Sequence, residues 1–160
     1  MYRKMLLLLG LFTLPLQIGS AGDSPLDRAT LRGLTGIGVV VDPVASELEQ
    51  QGLTQSALAA AIEKRVASAG LKVDKDSAAF LGLRVTHVHT RRGPYAVCLA
   101  IGLYQPVILS RDQAVRTATG TWEAETVLMA GSKVLLEAST SSVNELVDRF
   151  VSAYRSVNPQ

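Results

Sequence analysis

The sequence predicts an α+β fold, a two-layer sandwich in which about four mainly antiparallel strands carry two helices on one face, in the order β-α-β-β-β-α. Three observations support this prediction. An amphipathic helical pattern with start and stop signals lies at 54–69, alternating strand patterns follow between 81 and 127, and a second helical stripe closes the chain. No internal repeat interrupts this order, so residues 33–160 are expected to form a single domain.

The first 21 residues have the pattern of a signal peptide that is removed on export. Arg3 and Lys4 form a short basic region, and residues 5–16 are almost wholly apolar. Small residues from Gly19 onward then favour cleavage after Ala21. The apolar run is too short to span a bilayer core of about 30 Å, and no cysteine follows it as a lipid-attachment site. The sequence therefore predicts a periplasmic or secreted protein without a membrane anchor.

Charge and composition restrict the partners of the exported chain. Arg3 and Lys4 account for the whole formal charge of +2 of the full sequence, so the acidic and basic residues of the exported chain balance. A neutral domain lacks the positive field that attracts nucleic acid, and an aromatic fraction of 5% is low for a base-stacking surface. Nucleic acid is therefore not an expected partner. Cys98 is the only cysteine, and its place in an apolar run predicts a buried thiol.

Two elements are predicted before the first helix. Residues 22–32 are polar and mixed, and are predicted to form a flexible amino-terminal arm. The segment 37–41 is rich in β-branched residues and ends before Asp42 and Pro43, which is typical of a strand. Its run of valines favours a position at the centre of the sheet or under cover on both faces.

The helix at 54–69 has the clearest signals in the chain. Thr54 is a favourable N-cap, and Gly70 supplies the left-handed residue that ends a helix. An apolar stripe recurs at intervals of four residues, namely Leu58, Ile62 and Val66.

Three strands are predicted after this helix. From Leu81 to Thr86, leucine and valine alternate with glycine, arginine and threonine, as in a half-buried strand. Residues 95–103 place large apolar side chains on one face and small residues on the other, where a further layer or a partner could approach closely. Residues 117–127 alternate again, with Trp122 directed to the core and two glutamates directed to water.

From Ser132 the hydrophobic period becomes that of a helix. Its stripe comprises Leu136, Val143, Val147, Phe150 and Tyr154. The hydroxyl-rich segment 139–142 is poor helix material, so the helix is predicted to run from about 133 or to begin near 142. It ends at Asn158 and Pro159, and Phe150 is expected to close the core.

Four segments carry a resemblance to known proteins: GLTQSALAAAIEKRVASAGLKV, YAVCLAIGLYQPVILSRD, ATGTWEAE and VNELVDRFVSAYRSVNP. Together they resemble a family of small exported bacterial proteins that has no established activity. The resemblance covers about residues 33–159, and the closing VDRFVSAYRSVNP run is among its more specific parts. It implies no catalytic residues. The order of elements is also similar to that of the amino-terminal domain of the Tol–Pal translocation protein, a likeness of fold alone.

His87 and His89 are the candidate metal ligands. Residues two apart on a strand point to the same face, so both imidazoles can reach one ion. A zinc or copper site needs at least one further ligand, which the sequence does not nominate. Their position at a predicted strand end favours exposed polar residues that are dispensable for folding.

Four arginines lie in or near predicted turns: Arg91, Arg92, Arg111 and Arg116. If these turns lay together, the cluster would suit lipid head groups or a polyanion. The balancing acidic residues favour an ordinary solvated surface.

No pattern for catalysis is present, since the chain lacks a nucleophile elbow and a glycine-rich phosphate loop. The sequence therefore predicts a non-catalytic binding or accessory protein of the bacterial cell envelope, without a cofactor and with an envelope protein as its partner. Two alternatives stay open. One is a metal-binding or metal-dependent protein using His87 and His89, and the other is a small-ligand carrier with a cavity between sheet and helices.

Overall fold

The computed structural model describes residues 22–91 and 93–159, so the predicted signal peptide lies outside the described residues. Nine elements follow one another: α1 (Pro25–Ala29), β1 (Gly36–Val41), α2 (Ser46–Glu49), α3 (Gln55–Ser68), β2 (Lys72–Val73), β3 (Phe80–His89), β4 (Tyr95–Leu109), β5 (Asp112–Ala130) and α4 (Leu135–Val157).

The five strands form one open sheet in the order β2-β1-β3-β4-β5. β1 pairs in parallel with both β2 and β3, whereas the β3–β4 and β4–β5 pairs are antiparallel. The α+β class is confirmed, but the prediction of four strands and two helices is wrong. β2 has only two residues, and α1 and α2 have five and four. Elements this short do not show a full hydrophobic period.

Helix α3 forms where its sequence signals predict it. The Oγ1 atom of Thr54 accepts a hydrogen bond from the Ala57 N–H, and Gly70 adopts a φ of 87° beyond the last turn. The N–H of Leu71 then donates to the Val66 carbonyl, which satisfies an orphan acceptor at the helix end. The predicted stripe is buried: Leu58, Ile62 and Val66.

Helix α4 runs without interruption through the hydroxyl-rich segment 139–142. Ser139 is fully buried, so packing against the core outweighs the low helix propensity of this segment. Phe150 is also fully buried, and its ring meets Trp122 edge-on with 5.3 Å between centroids. The prediction that Phe150 closes the core is confirmed.

Residues 22–32 differ from the flexible arm that the sequence predicts. Ser24 and Asp27 form a capping box that starts α1, and Leu31 is fully buried. Asp23 accepts two hydrogen bonds of 2.8 Å from Arg28 and one of 2.7 Å from the Trp122 indole. The contact with Trp122 joins residues 99 positions apart, so a polar composition alone did not reveal it.

The sheet has two faces of different character. Helices α3 and α4 pack on one of them, which we name the covered face. Its buried residues are Ile37, Val41, Leu81, Leu83, Val85, Val97, Leu99, Ile101, Leu103 and Trp122. In the described part of the chain no helix packs on the other face, which we name the open face. On strands β3, β4 and β5, the following residues belong to the open face: Phe80, Gly82, Arg84, Thr86, Val88, Ala96, Cys98, Ala100, Gly102, Tyr104, Glu123, Glu125, Val127 and Met129.

Strands β4 and β5 extend beyond the rest of the sheet. β3 begins with Phe80, which is opposite Tyr104, so the later residues of β4 pair only with β5. We name residues 106–119 the projecting hairpin. Pro106 lies on its free edge, where proline is tolerated because it cannot donate to a ladder.

Candidate binding site on the open face of the sheet

The centre of the open face is made of small residues. β4 contributes only Ala96, Cys98, Ala100 and Gly102 to it. An antiparallel sheet that faces water on one side normally alternates apolar with polar residues, and this strand carries no charged or hydroxyl-bearing side chain there. The predicted small face is therefore present. Cys98 is half-buried, so the prediction of a buried thiol is wrong, because its side chain points away from the helices.

A concavity of about 380 Å³ lies over these small residues. Its floor includes Gly82 and Gly102, and one wall is formed by Phe80 and Tyr104, whose rings stack with 5.2 Å between centroids. A Cβ atom at Gly82 would lie 3.0 Å from the Tyr104 ring. Glycine at this position therefore lets the aromatic ring lie close to the sheet.

Acidic groups predominate around the concavity. Arg84 and Asp42 form an ion pair of 3.3 Å, but both side chains are more than half exposed, so the pair contributes little stability. Ala100 of β4 is opposite Arg84 of β3 on one side and Glu125 of β5 on the other. Glu123 lies in the neighbouring row of the open face, opposite Gly102. Three carboxylates against one guanidinium give the concavity a negative charge that favours a basic partner.

Glu123 is held in place by the start of the described chain. Its N–H donates to the Gly22 carbonyl at 2.9 Å, and its side chain passes over Gly22. A Cβ atom there would lie 2.1 Å from Glu123 Cγ, and the φ of 86° also favours glycine. Glu125 is exposed and forms no ion pair within the described residues.

One end of the open face is apolar. Val88, Val127 and Met129 are 70%, 68% and 73% exposed, although each is a large hydrophobic residue. The register places Val88, Ala96 and Met129 in one row across three strands, with Val127 in the next row. Grouped apolar side chains on a surface mark an interaction site more often than scattered ones do.

His87 and His89 do not belong to the open face. Their side chains are only 14% and 20% exposed, because odd-numbered residues of β3 point to the covered face. Glu47 of α2 bridges them, with 3.0 Å to His87 Nε2 and 2.6 Å to His89 Nδ1. His89 also stacks on Tyr95 with 3.9 Å between centroids. The two histidines lie at the end of β3, as predicted, but the prediction that they are exposed is wrong.

The sequence could not nominate Glu47 as the hydrogen-bond partner of both histidines, since it lies 40 residues earlier in a four-residue helix. Hydrogen bonds lower the pKa of Glu47, and the bond from His87 contributes more than the bond from His89. Among residues 22–91 and 93–159, no three histidine, cysteine or acidic side chains are arranged to hold a metal ion.

Arg91 lies far from Arg111 and Arg116, which share the projecting hairpin. Arg91 precedes β4, whereas Arg111 follows its other end and Arg116 lies on β5 in the projecting hairpin. A strand of 15 residues separates these ends by roughly 50 Å at about 3.3 Å per residue. Arg92 is outside the described residues.

The space between α3 and α4 is small. Its cavity holds about 80 Å³ and is lined mainly by Leu53, Leu58 and Val143. Ligand pockets usually hold about 300 Å³ or more. A shallow depression of about 370 Å³ also lies at the edge of β1 against the start of α3. A small-ligand carrier is predicted to hold its cavity between sheet and helices, whereas the concavity of the open face lies on the opposite side of the sheet.

None of the helices in the described segments is long and apolar enough to cross a membrane.

No protein-family model matches the chain, and no curated protein matches it. Among solved structures, a PelC dodecamer from Paraburkholderia phytofirmans matches with 12% identity and a TM-score of 0.42, over 75% of this chain and 86% of that one. A minor lipoprotein from Acinetobacter baumannii matches with 10% identity and a TM-score of 0.33, over 74% and 91%. Neither is the Tol–Pal translocation protein, so that predicted likeness and the predicted family stay predictions.

Proposed function

We propose that this protein is an exported, non-catalytic binding or accessory protein of the bacterial cell envelope, and that it binds a protein partner through the open face of its sheet. The observation that carries the proposal is the composition of that face. Small residues form its floor, and large apolar side chains are grouped at one end. Burying such a surface releases about 25 cal/mol per Å² of apolar area.

The chemistry of the face defines the partner that fits it. The alanine side chains of β4 allow the backbone of another protein to approach closely, whereas the ring of Tyr104 already lies over the glycines. Asp42, Glu123 and Glu125 favour basic side chains opposite them. The fitting partner therefore presents apolar and basic side chains together, on a surface that fits this concavity.

A pair of matched charge reversals tests this proposal. Glu125→Lys changes the open face, and Glu145→Lys makes the same change on an exposed position of α4. Proteins captured from envelope extract by the exported chain are identified by mass spectrometry, purified and titrated against all three forms. We expect binding by the wild type and by Glu145→Lys, with affinity lowered at least about tenfold for Glu125→Lys.

Two results would contradict the proposal. One is equal affinity for Glu125→Lys and Glu145→Lys, which would place the binding surface elsewhere. The other is the absence of any captured or self-associating species. Export is tested separately by amino-terminal sequencing of the released protein, which we expect to begin at Gly22. An intact Met1 would contradict export.

A further inference from the structure

We infer that the partner of the open face is a second copy of this chain. In the resulting two-fold dimer, the projecting hairpin of each copy lies across the open face of the other. This inference rests on the proposed function, because it names the occupant of the same surface. Four properties of the described residues lead to it.

The projecting hairpin itself needs a cover. Its residues pair only with each other, and residues 110–119 are all exposed. A two-stranded hairpin is marginally stable in water without packing against another layer. Ile108 and Val115 are 54% and 43% exposed, so the hairpin presents apolar surface as well as unpaired backbone edges.

The hairpin presents part of this surface, the side chain of Ile108, on the same side as the open face. Tyr104 points to the open side, and the alternation of β4 carries Pro106 and Ile108 to that side too. The register places Arg116 beside Ile108 and Ala118 beside Pro106. Because the hairpin continues its own sheet, it cannot fold onto its own open face. A second copy supplies the facing surface.

The two surfaces have opposite charge. The projecting hairpin carries Arg111 and Arg116 against one carboxylate, that of Asp112. The concavity carries three carboxylates against Arg84. Glu123 and Glu125 are both exposed and form no ion pair among the described residues, but Glu123 packs against Gly22, so Glu125 is the partner of Arg116 from the facing copy.

The dimensions also agree. From Tyr104 to the turn at Ser110, the hairpin extends six residues, or roughly 20 Å at about 3.3 Å per residue. The open face between the rows of Tyr104 and Ala96 extends eight residues, or roughly 26 Å. Facing sheets pack about 10 Å apart, which the small residues of β4 allow. A two-fold axis makes the contact reciprocal, so each copy both gives and receives a hairpin.

Sedimentation of charge-reversed variants tests the inference. The exported wild type is expected to form a dimer with twice the mass of one chain. Glu125→Lys and Arg116→Glu each place like charges together twice in the dimer, so each should raise the dissociation constant by roughly 100-fold. An equal mixture of the two variants should recover a dimer, because opposite charges then face each other at both contacts.

Glu145→Lys is the matched control and should dimerise like the wild type. A monomeric wild type, or a mixture of Glu125→Lys with Arg116→Glu that stays monomeric, would overturn the inference. A wild type that assembles into longer polymers would also overturn it, since a reciprocal contact closes at two copies. If the wild type is monomeric but loses an envelope partner on Glu125→Lys, the inference fails while the proposed function stands.

Discussion

The covered and open faces belong to the same strands but differ in burial and in contact with the helices. On β4, Val97, Leu99 and Ile101 point to the helices and are at most 1% exposed. Their immediate neighbours Cys98 and Ala100 point the other way and contact no helix of the described chain. One strand therefore builds both the core and a surface that resembles half of a core.

The difference separates stability from function. Helices α3 and α4 already bury the covered face, so substitutions there should act on folding. Substitutions on the open face should leave the folded monomer intact and act on binding. Each prediction below tests this separation, beginning with the largest expected effect.

Phe150→Ala should cause the largest loss of stability. Phe150 is fully buried and packs against Trp122, so its removal leaves a cavity under the sheet. We expect a loss of about 3–5 kcal/mol in the free energy of unfolding, measured by urea titration. A variant as stable as the wild type that had lost its partner would instead make this helix an interface.

Asp23→Ala should cost about 1–3 kcal/mol, because the buried Trp122 indole N–H loses its acceptor. Burial raises the pKa of Asp23, but hydrogen bonds from Arg28 and Trp122 outweigh this and lower it below 3.8. A lowered pKa means that the stabilisation is present above pH 3.8 and is lost as the pH falls through the folded value.

Asp23→Asn is the matched control, since its amide oxygen can still accept from Trp122. The free energy of unfolding is measured as a function of pH. Below pH 4 it should depend less on pH for Asp23→Asn than for the wild type, by about the contribution of one carboxyl group. If the free energy of unfolding had the same pH dependence in both proteins, the Asp23 carboxylate would not contribute to acid-sensitive stability.

His89→Ala should cost about 0.5–1.5 kcal/mol, because it removes the stacking on Tyr95. The control His89→Phe keeps the stacked ring and loses only the hydrogen bond to Glu47. Thermal melts with and without zinc complete the test. A melting temperature of the wild type that rises with zinc would support the metal-binding alternative for His87 and His89.

Met129→Ser should have the smallest effect on folding. Its side chain is 73% exposed, so the monomer should change by no more than about 0.5 kcal/mol in urea titration at high dilution. The same substitution should weaken binding through the open face. A loss of several kcal/mol in the monomer would show that this face is part of the core.

The sequence predicted the elements whose patterns extend over several periods. Both long helices, the burial of Trp122 and the small face of β4 follow from local spacing. Local spacing could not predict β2, which exists only because Gly36 and Ile37 supply its parallel partners. Local spacing also could not predict the contact of Asp23 with Trp122 across 99 residues, although the capping box of α1 is itself a local signal.

The candidate site was only partly predictable. The alternation of β4 showed that one face is small, but it could not show whether helices cover that face. The histidines were assigned to the surface because Glu47, which bridges them, is 40 residues away. The length of the projecting hairpin was hidden because pairing with β3 stops at Tyr104, a property of the neighbouring strand.

The reactivity of Cys98 tests the central claim most directly, because this thiol lies on the open face and is the only one in the chain. Its rate of modification by a maleimide is measured over a dilution series of the exported protein. If the open face is a binding surface occupied by a second copy, the rate falls as the wild-type concentration rises and stays constant for Glu125→Lys. A wild-type rate that is the same at every concentration, and unchanged by envelope extract, would contradict the account.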